Sequence, residues 1–296
     1  MEVNMSTFIS VLVGGLVLGC TYGMLSLGFS LIYQASGYMN FTQANLLMFG
    51  AFLAYQFFGV WELPFVVSLI LSVIIMFCIG WMMERFIIRS LVKKKAKNVY
   101  VVLSTIALSI IVENAAMLIW NPRQHYFPSI FKDSTPVKIG KISIGKESIL
   151  CIVVAICAMI VLHFFLNKTK FGTSMRAAAQ NKTAASCMGI NVNKTIGVTY
   201  GIAGALACLG GILIAPKMTA YYQLGNQLSM KSFAGAVIGG YGHIYGAIVG
   251  AMFVGILETF IGAYVSSVYK EFFVYGIMIL FMIFKPSGIF NAKVYE

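Results

Sequence analysis

Long apolar runs recur along the whole chain, near residues 8–33, 44–60, 64–83, 99–120, 148–166, 196–216, 245–264 and 271–284. A run of about 20 such residues, rising about 1.5 Å each as a helix, crosses a hydrocarbon core of about 30 Å. Hydrocarbon offers the backbone no hydrogen-bond partner, so each crossing segment must satisfy its own amides, and the α-helix does this. The runs therefore predict an all-α fold, a polytopic transmembrane helical bundle of about eight to nine spans. Composition agrees: 59% of residues are hydrophobic and 10% charged, against about 45–50% and about 25% in a soluble protein. No polar stretch reaches the roughly 50 residues of a small soluble domain, so residues 1–296 are expected to form a single transmembrane domain.

The formal net charge of +12 does not point to nucleic acid. The basic residues lie in loops flanking apolar runs, where they set orientation and meet anionic membrane lipids. Arg85, Arg89, Lys93, Lys94, Lys95 and Lys97 oppose only Glu84, and a second basic stretch spans Lys168 to Lys194. Two runs separate these loops, so both face the same side, the cytoplasm by the positive-inside rule. The N-terminus then lies outside. It has no basic n-region and no small-residue cleavage site, so the first run is expected to be a retained span.

Lys285 and Lys293 favour a cytoplasmic C-terminus, which requires one more crossing. The segment from about 218 to 240 is the candidate. It joins the polar NQLSMKS to the short apolar FAGAVIGG and is expected to cross discontinuously, as a broken or short helix lining a permeation route; the alternative is a re-entrant loop with the C-terminus outside. Residues 121–147, on the outer side, carry Arg123, Lys132, Lys138, Lys141 and Lys146 with three prolines and an alternating Val/Ile/Gly pattern, which suggests a folded hairpin.

Residues 167–195 form a polar island, NKTKFGTSMRAAAQNKTAASCMGINVNK from Asn167, with five basic residues and no acid. A helix from about Ser174 to Cys187 with a small-residue face, ended by Gly189, suits docking against a soluble protein better than spanning lipid.

Chemistry is sparse elsewhere. The six cysteines show no paired spacing, and His125, His163 and Cys157 form no ligand set. Gly140 to Glu147 has the glycine and lysine spacing of a phosphate loop, but Glu147 replaces the hydroxyl that would bind magnesium. Two carboxylates fall within apolar runs, Glu113 and Glu258; charge at such depth is costly. Each is either a pathway or gating residue or a carboxyl bonded to a neighbouring helix. Asn40, Thr42, Gln43 and Asn45, between the first two runs, either cap a helix or face the substrate route. Small residues recur at every fourth position (Gly15, Gly19, Gly23; Gly197, Gly201, Ala205; Gly235, Gly239; Gly242, Gly246, Gly250), as at close helix contacts within or between subunits. Trp61, Trp120 with Tyr126, Tyr221 with Tyr222, and Tyr264 with Tyr269 fit headgroup belts.

Four blocks in order, NFTQANLLMFGAFLAY, FGTSMRAAAQNKTAASCMGINVNK, LSMKSFAGAVIGGYGHIYGAIVGAMFVGILET and FKPSGIF, make the chain resemble the H-type permease subunit of branched-chain amino-acid ABC importers (the hydrophobic amino acid uptake family) over its full length. Thr183, Ala184, Ala185 and Gly189 match the spacing of the EAA-type coupling motif, with Thr in the Glu position, and Gly172, Arg176, Ala177, Asn181 and Ile190 fit the same loop. Relatives read Asn-Phe-Ala-His-Gly where this chain has Asn40, Phe41, Thr42, Gln43 and Ala44, a departure that bears on the substrate. The resemblance implies a permease of the bacterial inner membrane working with two cytoplasmic ATP-binding subunits, a second homologous permease or a second copy of itself, and an external substrate-binding protein. ATP and magnesium would be handled by the partners, and this chain would bind no cofactor. Asn40, Phe41, Thr42, Gln43 and Glu258 are the translocation-path candidates. An alternative is an ion-gradient-driven secondary transporter of small polar solutes.

Overall fold

The computed structural model describes residues 5–131, 136–139, 142–285 and 287–290. Twelve α-helices account for most of them. They are α1 (Met5–Ser36), α2 (Gln43–Ala54, continued by a π-helical turn Tyr55–Val60), α3 (Phe65–Met83, continued by a π turn Glu84–Ile88), α4 (Arg89–Lys93), α5 (Asn98–Trp120), α6 (Lys146–Lys168), α7 (Lys170–Gln180), α8 (Lys182–Cys187), α9 (Val192–Met218), α10 (Leu224–Gly239), α11 (Ile244–Tyr264) and α12 (Lys270–Phe284). One small antiparallel hairpin, β1 (Val137–Ile139) with β2 (Ile142–Ile144), interrupts the helical pattern. It lies in the expected place; Gly140 and Lys141 of the phosphate-loop-like stretch are outside the described residues.

Among the described residues, six helical segments are long and apolar enough to cross a membrane: Thr7–Ser36, Phe65–Lys93, Asn98–Trp120, Lys146–Lys168, Val192–Met218 and Ile244–Tyr264. α2, α10 and α12 are shorter. The chain passes back and forth between two ends of the bundle. At one end the termini of α1 and α10 and the start of α5 meet residues 179–182 around a cavity of about 350 Å³. At the far end His125 and Ala220 exchange two backbone hydrogen bonds of 2.8 and 2.9 Å, tying the loop after α5 to the turn after α9. The segment after α12 returns to the first end: the Ile289 amide donates to Ile238 O (2.9 Å) and Phe290 stacks on His243.

The expected discontinuity between 218 and 240 is corrected here. Residues 219–223 form a turn at the far end, and α10 then runs unbroken for 16 residues, about 24 Å at the α-helical rise. Two of its polar residues, Asn226 and Lys231, find partners on other helices without a break.

α1 and α9 form the buried centre, with α11 and α10 against α1 and α3 and α2 against α9. Glycine makes this closeness possible. A Cβ on Gly19 would lie 2.9 Å from Met252 Cα, and one on Gly255 would overlap the backbone of Gly19. Gly235 and Gly239 meet Gly246 and Gly250 backbone to backbone across the α10–α11 turn. Each stripe is thus used for packing within the chain. Trp120 also departs from expectation. Its ring is buried, stacked on Phe52 at 5.1 Å, and its indole nitrogen donates to Gln56 Oε1 at 3.0 Å, whereas Trp61 and Tyr126 are exposed. Of the cysteines, Cys20, Cys151 and Cys208 are buried and Cys78, Cys157 and Cys187 exposed.

Candidate functional site

Two regions bring together the residues singled out by sequence. The first is the polar island, which folds as two short helices rather than one. Asn181 breaks it: its backbone is extended and its Oδ1 accepts from the Ala184 amide at 2.9 Å, capping α8. Thr169 caps α7 through the Gly172 amide (3.0 Å), and Asn191 caps α9 through the Lys194 amide (3.0 Å). Each cap satisfies an otherwise orphan helical amide. Gly189 ends α8 with φ +80, and the pair Gly189 N to Ser186 O (3.0 Å) and Ile190 N to Ala185 O (3.1 Å) is the Schellman arrangement that favours glycine.

The island is fastened to the bundle from several sides. Gly172 presses on the Leu166 backbone so closely that a Cβ would overlap it. Met175, Ala178 and Ala185 point inward, with Ala177 partly covered beside them. Lys182 Nζ donates to Ser36 O at the end of α1 (2.6 Å) and lies 5.5 Å from the Tyr38 ring centre; burial lowers its amine below the ordinary lysine value. Sequence reading did not single out Lys182. Arg176 turns back toward the bundle, donating to Asn167 Oδ1 at 2.7 Å, and Asn167 in turn donates to Tyr245 of α11 at 3.1 Å. The outer face, including Ala184, Cys187, Gly189 and an 83% exposed Met188, is left open.

The second region is a polar seam between α5 and its neighbours. Thr105, Ser109 and Glu113 stand four residues apart, on one stripe of α5. The Phe41 amide donates to Thr105 Oγ1 (3.2 Å) and Thr42 Oγ1 to Thr105 O (2.8 Å). Asn45 Nδ2 donates to Ser109 O (2.8 Å) and Oγ (2.7 Å). Asn226 Nδ2, from α10, donates to Glu113 Oε2 at 2.8 Å. Asn40 Oδ1 accepts from the Thr42 amide (3.2 Å), and Gln43 Nε2 reaches Ala203 O of α9 (2.7 Å). Asn40 Nδ2, Gln43 Oε1 and Asn45 Oδ1 are buried without a hydrogen-bond partner among the described residues. Thr105 and Ser109 are additions of the structure; their four-residue polar spacing with Glu113 on an otherwise apolar span is the sequence signal that would find them, and Asn114, beside Glu113, bonds its own helix at Ile110 O.

Glu258 lies off the seam, behind α10. Its Oε1 contacts Lys231 Nζ at 2.7 Å and Lys270 Nζ at 3.2 Å, and Tyr22 Oη donates to its Oε2 at 2.8 Å. Lys231 also meets Glu271 at 3.0 Å. Two carboxylates and two ammonium groups thereby close a balanced cluster joining α1, α10, α11 and α12.

The family model for the branched-chain amino acid transport system permease component matches residues 11–282. The chain belongs to that family. Its relatives include the high-affinity branched-chain amino acid transport system permease protein LivH of Salmonella typhimurium, 28% identical over 98% of this chain and 97% of the relative. BraD of Pseudomonas aeruginosa, which carries the same description, matches at 28% with the same coverage. A probable LivH of Methanocaldococcus jannaschii is 28% identical over 94% of this chain and 91% of its own. Among solved structures, PsaBC from Streptococcus pneumoniae in complex with Fab aligns over 97% of this chain and 92% of that one, at 14% identity and a TM-score of 0.44. The H-type permease resemblance thus holds, and the chain is a multi-pass transport permease.

Proposed function

We propose that the chain is the single-domain transmembrane permease subunit of an ATP-driven ABC importer for branched-chain amino acids. The end carrying α7 and α8 faces the cytoplasm, the N-terminus lies outside, the C-terminus inside, and nine passes cross the bilayer. Two ATP-binding subunits dock on α7–α8 and hydrolyse ATP with magnesium; this chain binds neither. A second permease, homologous or identical, completes the path, and an external binding protein delivers the substrate.

One observation carries this reading: a pair of capped helices, built on no apolar span, is fastened to α1, α6 and α11 while its outer face stays open. A rigid element held in this way transmits a partner's movement into the bundle. Gly172, Arg176, Ala177, Asn181, Ala184, Ala185, Gly189 and Ile190 shape it. Asn40, Phe41, Thr42 and Gln43 supply the path, and Glu258 contributes at one remove by fixing α10. The test is uptake with Gly189→Val and Arg176→Glu. Both abolish ATP-driven uptake while membrane insertion persists; unchanged uptake by both refutes the docking role. Uptake that follows an imposed ion gradient without ATP would instead make the chain a secondary transporter.

A further inference from the structure

Glu113 is a carboxylate within a span whose charge no group in the described chain balances. Glu84 pairs with Arg89, Glu258 with Lys231 and Lys270, and Glu271 with Lys231. Glu113 receives only a neutral amide, from Asn226, on Oε2. A half-buried carboxylate at membrane depth without a counter-cation is costly, and such residues face a polar route or a partner.

The surroundings indicate what the counter-ion is. Asn226 also lines a polar cavity of about 430 Å³ at the far end, together with Tyr221, Gln223, Gln227, Glu271 and Tyr275. Glu271 is already held by Lys231, so Glu113 is the unbalanced charge beside this cavity. One helical turn deeper along the seam, Asn45 Oδ1 is a buried acceptor without a partner among the described residues. It faces Gly225 so closely that any Cβ there would collide with it. Two acceptors one turn apart, the outer one charged, match a donor-rich cation of small size. A primary ammonium has three N–H donors and no acceptor.

We propose that Glu113 receives the α-ammonium of the amino acid entering from the far end, with Asn45 Oδ1 the next acceptor inward. This rests on the reading of the chain as an amino-acid permease. The experiment reconstitutes the permease with its ATPase subunits, second permease and binding protein in vesicles, and measures labelled leucine moved per ATP hydrolysed. Loss of a charged hydrogen-bond partner predicts that Glu113→Gln lowers this ratio about tenfold or more, and that Glu113→Asp recovers most of it. An unchanged ratio in Glu113→Gln overturns the proposal, including the case where uptake and hydrolysis fall together, as structural damage would make them do. Should Glu113→Gln fail to reach the membrane, Asn226→Leu decides: a lowered ratio supports the proposal and a wild-type ratio overturns it. Absence of ATP-driven leucine uptake by the wild-type assembly would instead sink the functional reading itself.

Discussion

Replacing Lys231 by Met should destabilise the fold more than replacing Lys270, the other lysine of the charge cluster. The Lys231 side chain is 4% exposed and touches both Glu258 (2.7 Å) and Glu271 (3.0 Å), whereas Lys270, 35% exposed, touches Glu258 alone at 3.2 Å. Removing one partner of a buried pair strands the other and costs about 3–5 kcal/mol. Lys270 and Tyr22 still serve Glu258, which places Lys231→Met near the lower figure. Lys270 is partly open to solvent and its loss leaves Glu258 the nearer Lys231 and Tyr22, so Lys270→Met should cost less. Replacing both charges of a buried pair by apolar groups is often close to neutral; Lys231→Met with Glu258→Leu should therefore recover part of the single-variant loss. Thermal unfolding of the detergent-solubilised protein reads the order directly. At roughly 2–4 °C per kcal/mol for a chain of about this size, Lys231→Met should melt at least several degrees below wild type. If Lys270→Met melts lower than Lys231→Met, or if Lys231→Met melts with wild type, the cluster is not the clamp described here.

Asn181→Ala removes the α8 cap and should cost about 1 kcal/mol of local stability, seen as faster amide exchange at Ala184 and Ala185 with no change in α1. Lys182→Met cuts the strap from α8 to Ser36 O; ATP hydrolysis in the assembled importer should then continue with less amino acid moved per ATP, and an unaltered ratio would remove Lys182 from the force path. Gly255→Leu should prevent accumulation of folded protein, because its side chain would enter the backbone of Gly19; normal levels and a wild-type melt would show that α1 and α11 are not packed so closely.

The spans could be read from sequence because hydrocarbon enforces long apolar helices, and the glycine stripes because close backbone approach demands small residues. The break at Asn181 was not legible: asparagine is among the best helix caps, but the alanines on either side of it favour one continuous helix. Other features depended on distant pairing. Lys231 lies in a polar stretch that resembles a loop, and only Glu258 and Glu271, brought beside it by α11 and α12, make it a buried clamp. Glu113 and Asn226 are 113 positions apart, so no local pattern connects them. Tryptophan favours the membrane edge, but the bond of Trp120 to Gln56 satisfies its indole nitrogen inside and lets the ring be buried.

The attachments of α7 and α8 also say which helices a docking partner would move. Gly172 ties α7 to the last turn of α6, Lys182 ties α8 to the last turn of α1, and Asn191 leads directly into α9. α1 and α9 are the buried centre of the bundle; α11 packs on α1, and α10 on α11, through glycine contacts too close to slide freely. α5 is different: it is mostly exposed and meets α2 and α10 across the polar seam. On the proposed function, a push at α7–α8 moves the centre as a body, and the weakest boundary in its way is that seam. Its hydrogen bonds can be exchanged for bonds to a polar substrate at small net cost, whereas parting the glycine contacts would forfeit close packing with nothing in return. On the proposed function, the permeation path therefore runs beside α5, where Thr105, Ser109 and Glu113 line up, and not between α1 and α11.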